Sequence, residues 1–86
     1  MKRKLTFSDE AWEDYLHWQA TDRAMLRRIN QLIKDIRRSP YEGIGKPEPL
    51  KHQLAGWWSR RIDGEHRFPY RVTEQAIEIA NLRHHY

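Results

Sequence analysis

Glu48, Arg67 and the terminal run His84-His85-Tyr86 are the residues of this 86-residue chain whose types and settings suit proton transfer and anion binding. Glu48 sits between Pro47 and Pro49, so its backbone is stiff and its side chain is held in place at low entropic cost. Lys46 and Lys51 flank it. Arg67 follows an Asp63-Gly64 turn signal, with parity opposite to Phe68 and Tyr70, which aims it away from the apolar side of its strand. Histidine transfers protons near neutral pH. A terminal tyrosine adds a surface on which a base can stack, worth about 1–3 kcal/mol in such contacts. As strand neighbours, His84 and His85 face opposite ways, so they are not expected to form a metal-binding pair.

A carboxylate, an arginine and a histidine suit one reaction in particular, phosphodiester cleavage by internal transesterification. It needs a base for the ribose 2′-OH, a cation for the phosphorane-like transition state and an acid for the leaving 5′-oxygen. RNA supplies its own nucleophile, so neither metal-activated water nor cysteine is necessary. On the residues alone, plainer readings stay open: an exposed loop glutamate, one more surface arginine and a frayed basic tail. Against the last, Ala80 and Leu82 carry the apolar pattern almost to the end. His17 on a helix, His52 beside Lys51 and His66 at the turn rank lower. Trp12 and Trp18 read as packing residues rather than base platforms, and Trp57-Trp58 should place one ring on each side of a strand.

These residues must be positioned by a small α+β domain spanning residues 1–86, the length of one domain with one core. Lys2 to Phe7 reads as a short edge strand. Ser8 caps a first helix with Asp9 and Glu10 in its first turn, and Thr21-Asp22 starts a second. There Met25, Leu26, Ile29, Leu32, Ile33 and Ile36 recur at helical spacing until Ser39-Pro40 stops them. Residues 41–49 form a loop. Leu50 to Leu54 reads as a short strand, Trp57 to Ile62 as another, and Asp63-Gly64 as a two-residue hairpin turn. Strands from Glu65 to Val72 and from Ala76 to about Arg83 complete the sheet. Two N-terminal helices on one face of a small, mostly antiparallel sheet would leave its other face free for arginines. Pro69 disrupts this scheme, since it cannot donate to a strand ladder.

Charge narrows the function classes. Sixteen Lys and Arg against twelve Asp and Glu give a net +4, with the acids clustered early and arginines toward the end. Such a face suits nucleic acid or an acidic protein. There is no cysteine, which excludes disulfides and thiolate metal sites. Neither a signal peptide nor a membrane span is expected, and the cytoplasm is the expected location.

Taken as one pattern, Glu42-Gly43-Ile44-Gly45-Lys46-Pro47-Glu48-Pro49-Leu50-Lys51, then Trp58-Ser59-Arg60-Arg61-Ile62, Glu65-His66-Arg67 and Arg83-His84-His85-Tyr86, resembles the YoeB toxins of the RelE/ParE superfamily. The resemblance extends over essentially the whole chain, including Trp12, Tyr15 and Trp18. It implies a ribosome-dependent endonuclease that cuts mRNA in the A site and halts translation, with no cofactor. It implies Glu48 as general base, His85 rather than His84 as general acid, and Arg67 as the phosphate-stabilising group. Lys51 and Arg61 would be supporting cations, and Tyr86 would position the terminus or the RNA. It further implies a YefM-type antitoxin whose C-terminal segment covers the site, a homodimer, and operator DNA bound through the toxin–antitoxin complex. The sequence departs from the pattern at Phe68-Pro69, where relatives usually carry two aliphatic residues. Two other readings remain: a ParE-like gyrase inhibitor, which shares the fold without this constellation, and a binding module without chemistry.

Overall fold

The computed structural model describes residues 3–84; Met1, Lys2, His85 and Tyr86 lie outside the described residues, and with them the expected roles of His85 and Tyr86. The chain runs β1 (Lys4–Phe7), α1 (Asp9–Thr21), α2 (Arg23–Arg38), β2 (Glu48–Pro49), a 3₁₀ turn at His52–Leu54, β3 (Trp58–Arg61), β4 (Arg67–Val72) and β5 (Ala76–Ile79). The strands form one sheet in the order β1-β5-β4-β3-β2. β1 pairs with β5 in parallel and every other pair is antiparallel. Two helices against a mostly antiparallel sheet is the expected architecture. No helix among the described residues is long and apolar enough to cross a membrane.

Local chemistry sets the helices. Ser8 Oγ accepts the Ala11 amide at 3.0 Å, and the carboxylates of Asp9 and Glu10 lie where the helix dipole favours them. Asp22 serves both helices: its amide closes the end of α1 on the Trp18 carbonyl, and its carboxylate accepts the Met25 amide of α2. α2 buries Met25, Ile29, Leu32 and Ile36 against Phe68, Tyr70, Ile77 and Ile79 of the sheet. Each fully buried side chain of this size contributes about 1.5–3 kcal/mol through removal from water.

Three local expectations differ from the structure. Leu50 to Leu54 is not a strand. The pairing residues are Glu48 and Pro49, after which His52 takes a left-handed φ of 59° and the chain folds into the 3₁₀ turn. A five-residue apolar–polar run is too short for its period to separate the two outcomes. The β3–β4 connection is also wider than two residues. The ladder ends at Arg61 opposite Arg67, and the carboxylate of Asp63 closes the turn by accepting the amides of Glu65 and His66.

The third difference concerns the C-terminal end and also explains Pro69. β5 stops at Ile79, not near Arg83. Ala80 still donates to the Pro69 carbonyl at 3.0 Å, so these two would form a mutually bonded pair if residue 69 had an N–H. It does not, and the Ala80 carbonyl instead accepts the hydroxyl of Ser8 at 2.6 Å. The next sheet bond runs from the Arg67 amide to the His84 carbonyl, so Asn81, Leu82 and Arg83 together face the single residue Phe68. This bulge drives Leu82 into the core, where it is fully buried. Its amide and carbonyl are taken by α1: Asp14 accepts the first and the Trp18 indole donates to the second, both at 2.9 Å.

Candidate active site

Strand register brings the candidate residues to one face. Glu48 lies opposite Ser59, Ser59 opposite Pro69, and Arg61 opposite Arg67. Directly paired residues, and those two apart on a strand, share a face. Glu48, Arg61 and Arg67 therefore project from the side that the helices leave free, while Arg60, Phe68 and Tyr70 are buried beneath α2. Glu48 and Arg61 are exposed and Arg67 is partly so. Lys51 is exposed immediately before the 3₁₀ turn that follows β2. Among the described residues, none of Glu48, Lys51 and Arg61 enters a salt bridge, so the lysines flanking Glu48 do not clamp it.

Two arginines directly opposite each other repel. The Arg67 guanidinium is turned back to its own hairpin, donating to the carbonyls of Asp63 at 2.9 Å and His66 at 3.2 Å. Its charge stays at the surface beside Arg61, which makes this end of the sheet attractive to an anion.

The loop that delivers Glu48 is organised by a residue that the sequence presents only as one more base. Arg60 is completely buried and all five of its donors are used. It reaches Tyr70 Oη, Asp35 Oδ2 and the carbonyls of Ile44, Ser39 and Glu42. Asp35 in turn accepts the Ile44 amide at 2.9 Å. The Arg38 guanidinium, with the Ile44 amide and Arg60, lowers the Asp35 carboxyl to about 2 against the opposing effect of burial. Gly43 and Gly45 let the loop come this close. A Cβ at Gly43 would collide with Asp35 Oδ2, and both glycines have positive φ. The Tyr70 hydroxyl donates to the Pro40 carbonyl, and the Arg61 amide to that of Gly45. The loop is thus pinned at both ends before it enters Pro47-Glu48-Pro49.

The approach to the C-terminus is anchored as firmly. Alternate residues are held: Ala80 by Ser8, Leu82 by Asp14 and Trp18, and His84 by the Arg67 amide and the His66 ring. His66 ranks low on sequence as a turn residue, yet it is buried, packs against the Trp18 indole at 4.9 Å, and accepts the His84 amide on Nδ1 at 2.7 Å. No sequence pattern connects positions 66 and 84. The Arg67 backbone and the last described residue are therefore joined directly.

Glu65, His66 and His84 also bring three ligand-type atoms within 4.8 Å of one another. A neutral imidazole has one lone-pair nitrogen, and in His66 it is the Nδ1 that accepts the His84 amide. That leaves Nε2, which faces Glu65 Oε1 at 3.8 Å, as the N–H nitrogen of the neutral ring. His66 and His84 are thus joined by a hydrogen bond that occupies Nδ1, and the Glu65 carboxylate stands beside the other ring nitrogen.

The tryptophans divide. Trp58 packs against Tyr41, whereas Trp57 lies under the Arg71 guanidinium. Trp18 is buried as expected. Trp12 is 47% exposed but packs as a helix residue, stacked on Tyr15 and edge-on to Phe7.

Residues 7–86 match the family model described as the YoeB-like toxin of bacterial type II toxin–antitoxin systems. The chain is 59% identical to Toxin YoeB of Escherichia coli (strain K12) over 96% of its own length and 99% of that protein. It superposes on the YoeB dimer structure from Staphylococcus aureus with a TM-score of 0.93 at 47% identity, and on a YoeB–YefM complex from the same organism with 0.90 at 46%, each covering 100% of both chains. The family model over residues 7–86 and the full-length similarity, with a fold that superposes on these toxins, show the family: this chain belongs to the YoeB-like toxins of bacterial type II toxin–antitoxin systems.

Proposed function

We propose that this toxin is a metal-independent endoribonuclease that cleaves mRNA in the ribosomal A site and so inhibits translation in the cytoplasm. The observation that carries the reading is the register that aligns Glu48, Arg61 and Arg67 on the free sheet face, with Arg67 bonded through its backbone to His84. From strand spacings of about 4.8 Å and a rise of about 3.4 Å per residue, the Glu48 and Arg67 Cα atoms lie roughly 12 Å apart. Long side chains from both ends can then flank a single ribose-phosphate unit.

In this mechanism Glu48 takes the proton from the 2′-OH as O2′ attacks phosphorus. Arg67 neutralises the charge that develops on the non-bridging oxygens, where a preorganised cation contributes most. His85 protonates O5′ as the P–O5′ bond breaks, leaving a 2′,3′-cyclic phosphate and a 5′-hydroxyl. Lys51 and Arg61 hold the flanking phosphates, and Tyr86 positions the terminus or stacks on the RNA. No step requires a metal, because the nucleophile belongs to the substrate.

The partners follow from the relatives. A YefM-type antitoxin that covers this face would block it, a second copy would form a homodimer, and operator DNA would be bound through the toxin–antitoxin complex. Support comes from the solved YoeB–YefM complex and YoeB dimer of a relative. The test is to incubate the purified toxin with programmed ribosomes and, separately, with gyrase and supercoiled plasmid. Cleavage in the A site that disappears in Glu48→Ala and His85→Ala supports the reading. Gyrase inhibition without cleavage, or toxicity that survives both substitutions, overturns it.

A further inference from the structure

We infer that His66 is a positioning residue for the C-terminal general acid, acting as a neutral hydrogen-bond acceptor that fixes the backbone one residue before His85. The inference rests on the nuclease reading above. His84 is the last point at which the described chain is tied, and both of its backbone groups are held by two consecutive residues: its carbonyl by the Arg67 amide at 3.2 Å, its amide by His66 Nδ1 at 2.7 Å. The same dipeptide thus carries the phosphate-binding guanidinium and holds the residue that precedes the acid in sequence.

Three features make His66 suited to this role. Its side chain is 10% exposed and wedged edge-on against Trp18, so it has little freedom to move. Its own amide is held by the Asp63 carboxylate at 2.7 Å. And His84 has a φ of 65°, a left-handed conformation costly for a non-glycine residue, which persists only where surrounding bonds enforce it. A histidine can accept here only as the Nε2–H tautomer. Glu65 Oε1, 3.8 Å from Nε2, favours the proton on that nitrogen.

The test uses substitutions that separate the acceptor from the ring. In His66→Asn, Oδ1 stands where Nδ1 stood and can still accept the His84 amide; in His66→Gln the polar atoms are one bond too far out. Positioning errors of about 1 Å cost roughly 100-fold in rate. His66→Gln should therefore lose between about 10- and 100-fold in kcat on ribosome-bound mRNA with little change in KM, and His66→Asn should recover most of the loss. Ring ¹⁵N spectra of the wild type should give an unprotonated Nδ1, and the His84 amide proton should move upfield in His66→Gln but not in His66→Asn. Equal cleavage by wild type and His66→Gln, or a protonated Nδ1, overturns the inference. A wild type that cuts no mRNA removes the nuclease reading instead, and the spectra then still report whether the His66–His84 bond exists.

Discussion

The Ser8 hydroxyl donates to the Ala80 carbonyl at 2.6 Å and occupies the acceptor that Pro69, lacking an N–H, leaves unserved. The same oxygen accepts the Ala11 amide and starts α1. One side chain thus caps a helix and compensates a proline in the sheet. Loss of a cap costs about 0.5–2 kcal/mol, and loss of the exposed Ser8–Ala80 hydrogen bond about 0.5–1 kcal/mol more, since water can reach the freed carbonyl.

Ser8→Ala should therefore destabilise the toxin by about 1–2 kcal/mol in urea unfolding. In a Pro69→Val background, where the amide restored at that position can reach the Ala80 carbonyl, the same change should cost about 1 kcal/mol less. Additive effects in this double-mutant cycle would show that the two positions are uncoupled. Because Pro69 is compensated through Ser8 and leaves Arg67 tied to its turn, cleavage by Pro69→Val should stay close to that of the wild type.

Arg60 satisfies five acceptors from α2, β4 and the loop ahead of Glu48. Arg60→Ala would strand Asp35 and three carbonyls, and should cost about 3–5 kcal/mol. Arg60→Lys keeps the charge but cannot reproduce the fork. Its thermal midpoint should fall nearly as far, with Glu48-dependent cleavage lost alongside.

The Asp35 carboxyl sits below its unfolded value of 3.8, at about 2. A depressed carboxyl stabilises the fold above the unfolded value and ceases to do so as pH falls through the folded one. Stability should decline by about 2 kcal/mol between roughly pH 4 and pH 2. In Asp35→Asn that part of the acid transition should disappear. An unchanged acid limb would exclude Asp35 as its source.

Glu48 and Arg61 are exposed and Arg67 partly so, and their loss should spare folding. Glu48→Gln and Arg67→Ala should each lower mRNA cleavage by on the order of 100-fold at wild-type thermal midpoints. A strong chelator should leave the wild-type rate unchanged. A rate that collapses with EDTA and returns with a divalent ion would contradict the metal-free mechanism.

Removing His85 and Tyr86 should abolish cutting without unfolding the domain, because the described anchors end at His84. Circular dichroism and a cleavage assay on the truncated chain check both halves. Full activity after truncation would exclude the acid at that end.

Much of the molecule was legible from local chemistry. α2 announces itself through Met25, Ile29, Leu32 and Ile36, and both helix starts through Ser8 and Asp22, because periodicity and capping act over a few residues. Alternation along β4 likewise placed Arg67 on the free face. Short runs failed: Leu50 to Leu54 and the Asp63-Gly64 turn depended on bonds to Trp57 and His66, which no local pattern encodes.

The sequence by itself determined the chemical groups, the helical hairpin and the face on which the arginines stand. Only the tertiary structure decided how Pro69 is tolerated, why Arg60 can be buried and what holds His84. In each case the partners are far apart in sequence, 72 residues for Ser8 and Ala80 and 18 for His66 and His84. A buried polar group is stable only where its partners converge, and that convergence is a property of the folded chain.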